Sequence, residues 1–218
     1  GGGTPSYIDC KYIDEIMEEI KKKNVSENAE ITIEVNPGTV TEEKLIQYKE
    51  SGVNRLSIGL QSTNNKLLKQ IGRIHDYDQF LETYNMARKI GIKNINVDLM
   101  LGLPNQRIQD LKESLDIIIK LNPEHISIYS LIVEDDTPIK LQIESGKLSL
   151  PDEETERHMY WYVKNILELN GYNHYEISNF SKPGFESKHN MNCWNQNEYI
   201  GFGISANSYR DITRYSNT

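Results

Sequence analysis

The chain has little of what builds a disulfide framework, a metal cluster or a membrane span. Its 218 residues include only two cysteines, Cys10 and Cys193, which lie far apart in the sequence. They predict no disulfide framework and cannot form a multi-cysteine metal site by themselves. The apolar runs are a handful of residues long, so the pattern predicts no transmembrane helix. A reducing cytoplasm is the default compartment for such a sequence.

Positive charge is also in short supply. Lysine and arginine together number 24 against 32 aspartates and glutamates, for a net charge of −8. This balance argues against a surface that neutralises nucleic-acid phosphates. The length suits one domain of ordinary size with a sizeable core.

The chain has no starting methionine and opens with the glycine-rich segment GGGTPS. Three glycines leave the backbone N–H groups unshielded, so a ligand can approach the backbone closely. We therefore expect the chain to begin inside a functional loop and to be a fragment, with chemistry carried by residues upstream.

Short apolar runs alternate with amphipathic helical stretches. Helix boundaries are indicated by Thr41 as an N-cap, by Gly52 and Gly91 as stops, and by Pro123 after the last stretch. The apolar runs occupy residues 31–35, 55–60, 94–101 and 125–131, and the helical stretches residues 12–23, 42–51, 78–90 and 109–121. This order predicts a parallel sheet with helices outside it.

The predicted strands have one apolar and one polar face. Side chains alternate faces along a strand, and a strand buried on both faces should be apolar throughout. The polar positions of the four runs include Thr32, Glu34, Asn36, Ser57, Gly59, Gln61, Asn96, Asp98, Ser127 and Tyr129. Antiparallel strands with one wet face would give the same pattern, but the long helical connections favour a barrel or part-barrel with a polar lumen. Glu34, Gln61 and Asp98 then share one wall, near the opening glycine loop.

Seven motifs together carry a family resemblance. In order they read GGGTPS, IEVNPGT, LSIGLQS, NVDLMLGLPNQ, IYSLIVEDDTP, HYEISNFSKPGFESKHN and YIGFGISANSY. They resemble the radical S-adenosylmethionine (SAM) family of oxygen-independent coproporphyrinogen III oxidase-like proteins, most closely its haem-chaperone branch. The resemblance implies an α/β fold: a partial (β/α)6 TIM-like barrel over residues 1–150, incomplete at the N-terminus, and a C-terminal α/β extension over residues 151–218.

The resemblance also implies a [4Fe–4S] cluster and SAM as cofactors. The family's cluster ligands form a Cys-x3-Cys-x2-Cys loop, which we expect upstream of Gly1, because Cys10 and Cys193 lack that spacing. In the intact protein the cluster would bind the amino and carboxylate groups of SAM and deliver one electron to its sulfonium. The family's usual C-terminal accessory domain is expected beyond Thr218.

Motif by motif, the resemblance implies a set of SAM-contacting positions. Carboxylates suit ammonium or ribose hydroxyl groups, and arginine suits a carboxylate. Glu34 or Asp98 could instead cap a helix or pair with a base, and Arg73 could be a surface cation. The oxidase branch can bind a second SAM, so which SAM each residue meets stays open. The positions are Gly2, Gly3, Thr4, Glu34, Gln61, Arg73 and Asp98, with Ile132 as a main-chain contact.

The C-terminal part carries a second motif. Residues 152–170 predict a long helix and residues 172–177 a strand. Residues 189–194 read HNMNCW, which resembles the HNxxYW motif of the chaperone branch with Cys193 in place of the usual tyrosine. His189 could ligate haem iron and Trp194 could stack on a porphyrin. The alternative is a structural loop in which His189 bonds to the backbone.

The resemblance implies a SAM- and cluster-dependent cytoplasmic protein that binds haem or a porphyrin and passes haem to an acceptor protein. The alternative is an oxidoreductase that oxidatively decarboxylates coproporphyrinogen III to protoporphyrinogen IX. A generic sheet-based binder of small molecules is disfavoured by the ordered motifs. The upstream cysteine loop would help to separate the first two.

Overall fold

The computed structural model describes residues 3–218, so the predicted SAM contact Gly2 lies outside the described residues. A six-stranded sheet has the order β1-β2-β3-β4-β6-β5. Strands β1 to β4 are parallel, and β6 runs antiparallel to both of its neighbours, β4 and β5. A separate hairpin joins β7 and β8. The strands are β1 Thr32–Val35, β2 Arg55–Gln61, β3 Asn94–Leu101, β4 His125–Ser130, β5 Asn173–Glu176, β6 Asn179–Ser181, β7 Asn207–Arg210 and β8 Thr213–Ser216.

Helices connect the parallel strands, as the sequence pattern predicts. The Thr41 side chain accepts a hydrogen bond from the Lys44 backbone N–H and caps α2. Asp76 and Gln79 form a reciprocal capping box on α4. The helices are α1 Cys10–Lys21, α2 Glu42–Glu50, α3 Asn65–Gln70, α4 Tyr77–Lys89, α5 Ile108–Leu121, α6 Pro138–Glu144, α7 Glu153–Leu169 and α8 Lys188–Trp194.

The hydrophobic core lies between the helices and the apolar face of the sheet. Leu56, Ile58 and Leu60 of β2 are fully buried and belong to one cluster with Phe80 of α4 and Met159 of α7. Full burial of such a side chain stabilises the fold by roughly 1.5–3 kcal/mol. The opposite face carries Glu34, Ser57, Asp98 and their polar neighbours, so the predicted parity of the strands is right.

Several short elements differ from the expectation. Beyond the predicted strand at residues 172–177 the chain forms β6, which pairs antiparallel with β4 and extends the sheet. The HNMNCW motif forms α8 rather than an irregular loop, with Ser187 as its N-cap. With three residues in β6 and seven in α8, neither element carries a period that the sequence pattern could reveal. Within residues 3–218, no helix has both the length and the apolar character that crossing a bilayer requires.

Candidate functional site

A polar cavity of about 740 Å³ opens on the polar face of the sheet. Side chains of β1 to β4 and β6 line it, and the start of α8 closes one side. The predicted positions that line the cavity are Thr4, Glu34, Gln61, Arg73, Asp98 and His189. Ile132 does not line it: its side chain is 76% exposed. The volume lies within the range of about 300–1,000 Å³ that small-molecule pockets occupy.

Asp98 lies among hydrogen-bond donors on the cavity wall. Asn96 Nδ2 donates to its Oδ1 at 2.6 Å, and Ser57 Oγ donates to its Oδ2 at 3.2 Å. Burial raises the pKa of Asp98 to about 6, and the charge of Glu34 acts in the same direction, against the lowering by these donors. A cationic ligand group bound beside Asp98 would favour the ionised form of this carboxyl group.

Gln61 owes its place in the cavity to an irregularity at the end of β2. The pairing with β3 shifts between Gly59 and Gln61, and Gln61 adopts a left-handed backbone with φ of +73°. Its side chain is buried, and its Oε1 accepts a hydrogen bond of 3.1 Å from Tyr129 Oη. A Cβ on Gly59 would lie 3.0 Å from Gln61 Nε2 and 3.2 Å from Asn36 Oδ1, so the glycine leaves room for both. Such strain is typical of functional sites.

Two loops bring further residues to the cavity rim. The Thr4 hydroxyl accepts a hydrogen bond of 3.0 Å from Asn36 Nδ2, and the preceding Gly3 has φ of +78°. Arg73 follows Gly72, whose φ is +74°, and its loop is anchored by the buried His75, whose Nε2 lies 3.2 Å from the Leu60 carbonyl. The glycines allow both loops to turn back toward the sheet.

A chain of hydrogen bonds runs beneath the cavity from α8 to Asp98. The Ser187 backbone N–H donates to Tyr175 Oη at 3.3 Å, and Tyr175 Oη is 2.7 Å from Nε2 of the fully buried His125. His125 Nδ1 is 2.6 Å from Asn96 Oδ1. Because this amide oxygen can only accept, the imidazole carries its proton on Nδ1 and accepts from Tyr175 on Nε2. Burial lowers the pKa of His125 to about 3, so the ring is neutral.

Of the two predicted haem contacts, His189 lines the cavity and Trp194 lies outside it. His189, in the first turn of α8, is exposed and lines the cavity; its Nε2 lies 3.8 Å from Cys193 Sγ. Trp194 ends the helix, is 54% exposed and donates from Nε1 to Glu176 Oε2 at 3.0 Å. Trp194 does not line the cavity. A porphyrin touching both residues would therefore extend beyond the cavity, along α8.

Several lining residues were not singled out from the sequence. Ser57, Asn96 and Tyr129 occupy the polar parity positions, so that pattern was sufficient to find them. Arg55 lies on the same face of the sheet, two residues before Ser57 in β2. Glu30 and Ser187 come from loops, and no sequence pattern indicates that they meet the sheet.

Comparisons with known proteins agree with this fold. A family model described as the radical SAM superfamily matches residues 1–118. Proteins named Heme chaperone HemW are 40% identical in Lactococcus lactis and 42% identical in Bacillus subtilis, over 100% of this chain and 58% of each relative. The chain thus spans little more than half the length of these relatives.

A solved structure is similar over nearly the whole chain. It is the coproporphyrinogen III oxidase HemN from Escherichia coli, a radical SAM enzyme. The TM-score is 0.78 at 25% sequence identity, covering 96% of this chain and 51% of HemN. The predicted α/β radical SAM fold class is confirmed. Since the family model covers more than half of the residues, the chain belongs to the radical SAM superfamily, which implies SAM and a [4Fe–4S] cluster as cofactors.

Proposed function

We propose that this chain is the SAM-binding core of a haem chaperone, which binds haem and passes it to an acceptor protein. The observation that carries the proposal is the identity of 40–42% to proteins named Heme chaperone HemW, along the full length of the chain. Because the chain spans 58% of those relatives, the proposal concerns the whole protein to which this sequence belongs.

The cavity suits SAM by its charge pattern. SAM carries an ammonium and a sulfonium cation, ribose hydroxyls, an adenine and a carboxylate. Glu34 and Asp98 offer carboxylates to the cations or hydroxyls, and Arg73 offers a guanidinium to the carboxylate. The amide of Gln61 and the hydroxyl of Thr4 add neutral partners. Gly59 leaves room for the side chains of Gln61 and Asn36 beside the cavity.

SAM bound at a reduced cluster would supply radical chemistry to the site. The residues that line the cavity would hold and orient SAM. The half-buried carboxylate of Asp98 would attract a cationic group of SAM. They do not fit the cluster itself: among residues 3–218, no three histidine, cysteine, aspartate or glutamate side chains form a group that could hold a metal. The function proposed for these residues is therefore binding and orientation of SAM.

Haem enters the proposal as cargo. The exposed imidazole of His189 is accessible to an iron ion, and neutral imidazole is a common haem ligand. His189 borders the SAM cavity through the N-terminal turn of α8, so bound haem would lie next to bound SAM. Trp194 would extend the contact along the same helix.

A second candidate is oxidation of coproporphyrinogen III, because HemN shares the fold with a TM-score of 0.78. This enzyme would abstract hydrogen from a propionate side chain. The lower identity of 25% supports it less than the chaperone. Both candidates require a porphyrin next to SAM, so the cavity does not separate them.

The test compares haem binding with porphyrin turnover. Haem is titrated by absorbance into the wild-type chain, His189→Ala and the control His158→Ala, which removes an exposed imidazole from α7. We expect His189→Ala to lower haem affinity by about tenfold or more while His158→Ala has no effect. Equal affinities in all three would contradict the role of His189. Turnover of coproporphyrinogen III by the anaerobically reconstituted native protein would favour the oxidase.

A further inference from the structure

A buried arginine in the cavity has no carboxylate in ion-pair contact within the described part of the chain. Arg55 begins β2 on the polar face, is only 5% exposed and lines the cavity. Its Nε is buried without a hydrogen-bond partner. Among residues 3–218, no carboxylate lies within ion-pair distance of its guanidinium. Guanidinium stays charged in proteins, and a buried charge is unfavourable unless it is paired.

Another arginine of this chain shows the usual arrangement. Arg88 is also partly buried, but it forms an ion pair of 2.8 Å with Glu124 and donates to Tyr84 Oη at 2.7 Å. Arg55 has near neighbours without charge instead. In the register of the sheet it stands beside Thr32 of β1 and Asn94 of β3, which are both uncharged.

Of the three carboxylates that line the cavity, Glu30 and Asp98 are bonded to other donors, and Glu34 lies outside ion-pair distance of Arg55. Glu30 Oε2 accepts from the Lys188 backbone N–H at 3.2 Å and its Oε1 from Ser187 Oγ at 3.4 Å. Asp98 accepts from Asn96 and Ser57. The guanidinium of Arg55 is thus left for an anion that residues 3–218 do not supply.

The position of Arg55 separates it from the residues at the rim. Arg55 and Gln61 stand at opposite ends of β2, about 20 Å apart along the strand. A ligand group at Arg55 therefore lies away from Gln61, at the end of the cavity where the Arg55 N–H donates to the Ile31 carbonyl and the adjacent Glu30 accepts from Ser187, the N-cap of α8. His189 follows Ser187 in the first turn of α8 and lines the same cavity.

We propose that Arg55 forms a carboxylate-binding subsite on the floor of the cavity. The choice of carboxylate rests on the proposed function, because haem carries propionates and SAM carries a methionyl carboxylate, which can reach either Arg55 or Arg73 but not both. A guanidinium binds such groups with two parallel N–H···O bonds. The subsite would fix the depth and orientation of whichever ligand reaches it.

The subsite is tested first without either ligand. Sodium propionate is titrated into the isotope-labelled 218-residue chain, and the Nε–H resonances of Arg55 and Arg88 are followed by NMR. We expect a saturable shift at Arg55, absent with sodium chloride at equal ionic strength, and none at the paired Arg88. An unchanged Arg55 resonance would overturn the subsite, whether or not the chain binds SAM or haem.

Matched ligand pairs then identify the source of the carboxylate. SAM is compared with decarboxylated SAM, and haem with its dimethyl ester, on wild type, Arg55→Lys and Arg55→Gln. The ligand that reaches Arg55 should bind wild type about tenfold better than its partner lacking the carboxylate, and Arg55→Gln should abolish this preference. Arg55→Lys should keep part of it. Wild type without a preference in either pair overturns the proposal, even if Arg55→Gln fails to fold. Loss of all SAM and haem binding, with the propionate shift retained, would instead contradict the proposed function alone.

Discussion

Asp98 and Glu34 face one cavity from β3 and β1, and the charge of Glu34 acts with burial to raise the pKa of Asp98 to about 6. The folded-state pKa of Asp98 therefore lies above its value of about 3.9 in an unfolded chain. The stability that Asp98 contributes is fully present below about pH 4 and is lost as the pH rises through 6.

Asp98→Asn should remove this pH dependence. At pH 7.5 we expect the variant to be more stable than wild type by on the order of 2–3 kcal/mol, a gain that declines to nearly zero at pH 4. Urea unfolding at a series of pH values measures the difference. Asp116→Asn, on the exposed surface of α5, is the control and should follow wild type. A pH-independent difference would show that Asp98 titrates normally.

SAM binding should depend on both carboxylates. Glu34→Gln or Asp98→Asn in the native protein with its cluster should weaken SAM binding by roughly ten- to hundredfold, because each removes a charge-assisted hydrogen bond worth about 1.5–3 kcal/mol. Calorimetry with SAM measures the loss. Glu82→Gln, the same change on the exposed surface of α4, should bind SAM as wild type does. Unchanged affinity in both cavity variants would refute the SAM assignment.

His125 should stabilise the folded protein at neutral pH and contribute less to its free energy of unfolding in acid. Its pKa is lowered to about 3 by burial, so its contribution is present above about pH 6.5 and is lost as the pH falls toward 3. His125→Phe removes the donor from Asn96 Oδ1 and the acceptor from the Tyr175 hydroxyl, and we expect a loss of about 2–4 kcal/mol at pH 7.5. This loss should shrink in acid, where wild type must protonate the buried ring.

The same unfolding experiments check the role of His125, with His158→Phe as the exposed control. Asp98 and His125 contribute with opposite sign over an overlapping pH range. Each must therefore be read from the difference between its own variant and wild type rather than from the wild-type curve. A loss of stability in His125→Phe that is the same at every pH would mean that the wild-type ring is not held neutral.

Cluster assembly should fail in the 218-residue chain. It contains two cysteines, of which Cys10 is buried and Cys193 is exposed, whereas a cluster of this family needs three thiolates. After anaerobic reconstitution we expect no stoichiometric [4Fe–4S] absorption, and the double variant Cys10→Ser with Cys193→Ser should give the same spectrum. Full loading of the wild-type chain would contradict the expected upstream cysteine loop.

The sequence predicted the sheet and one wall of the cavity because period-two alternation is a strong signal. Glu34 and Asp98 could be assigned to one face from parity alone. Gln61 lies on that face too, but its left-handed backbone and the register shift at Gly59 depend on packing against β3. The junction of Ser187 with Glu30 joins residues 157 positions apart, and local pattern carries no information on such a contact.

The hydrogen-bond chain beneath the cavity has a consequence for the entropy of binding. Each hydrogen bond fixes the donor and acceptor roles in the next one, from Ser187 through Tyr175 and His125 to Asn96. Asn96 in turn donates to Asp98, so this carboxyl group is held in one orientation before a ligand arrives. Ordering a mobile side chain on binding costs roughly 0.5–1.5 kcal/mol. That ordering is already complete in the folded protein, and the cavity wall is a preorganised surface.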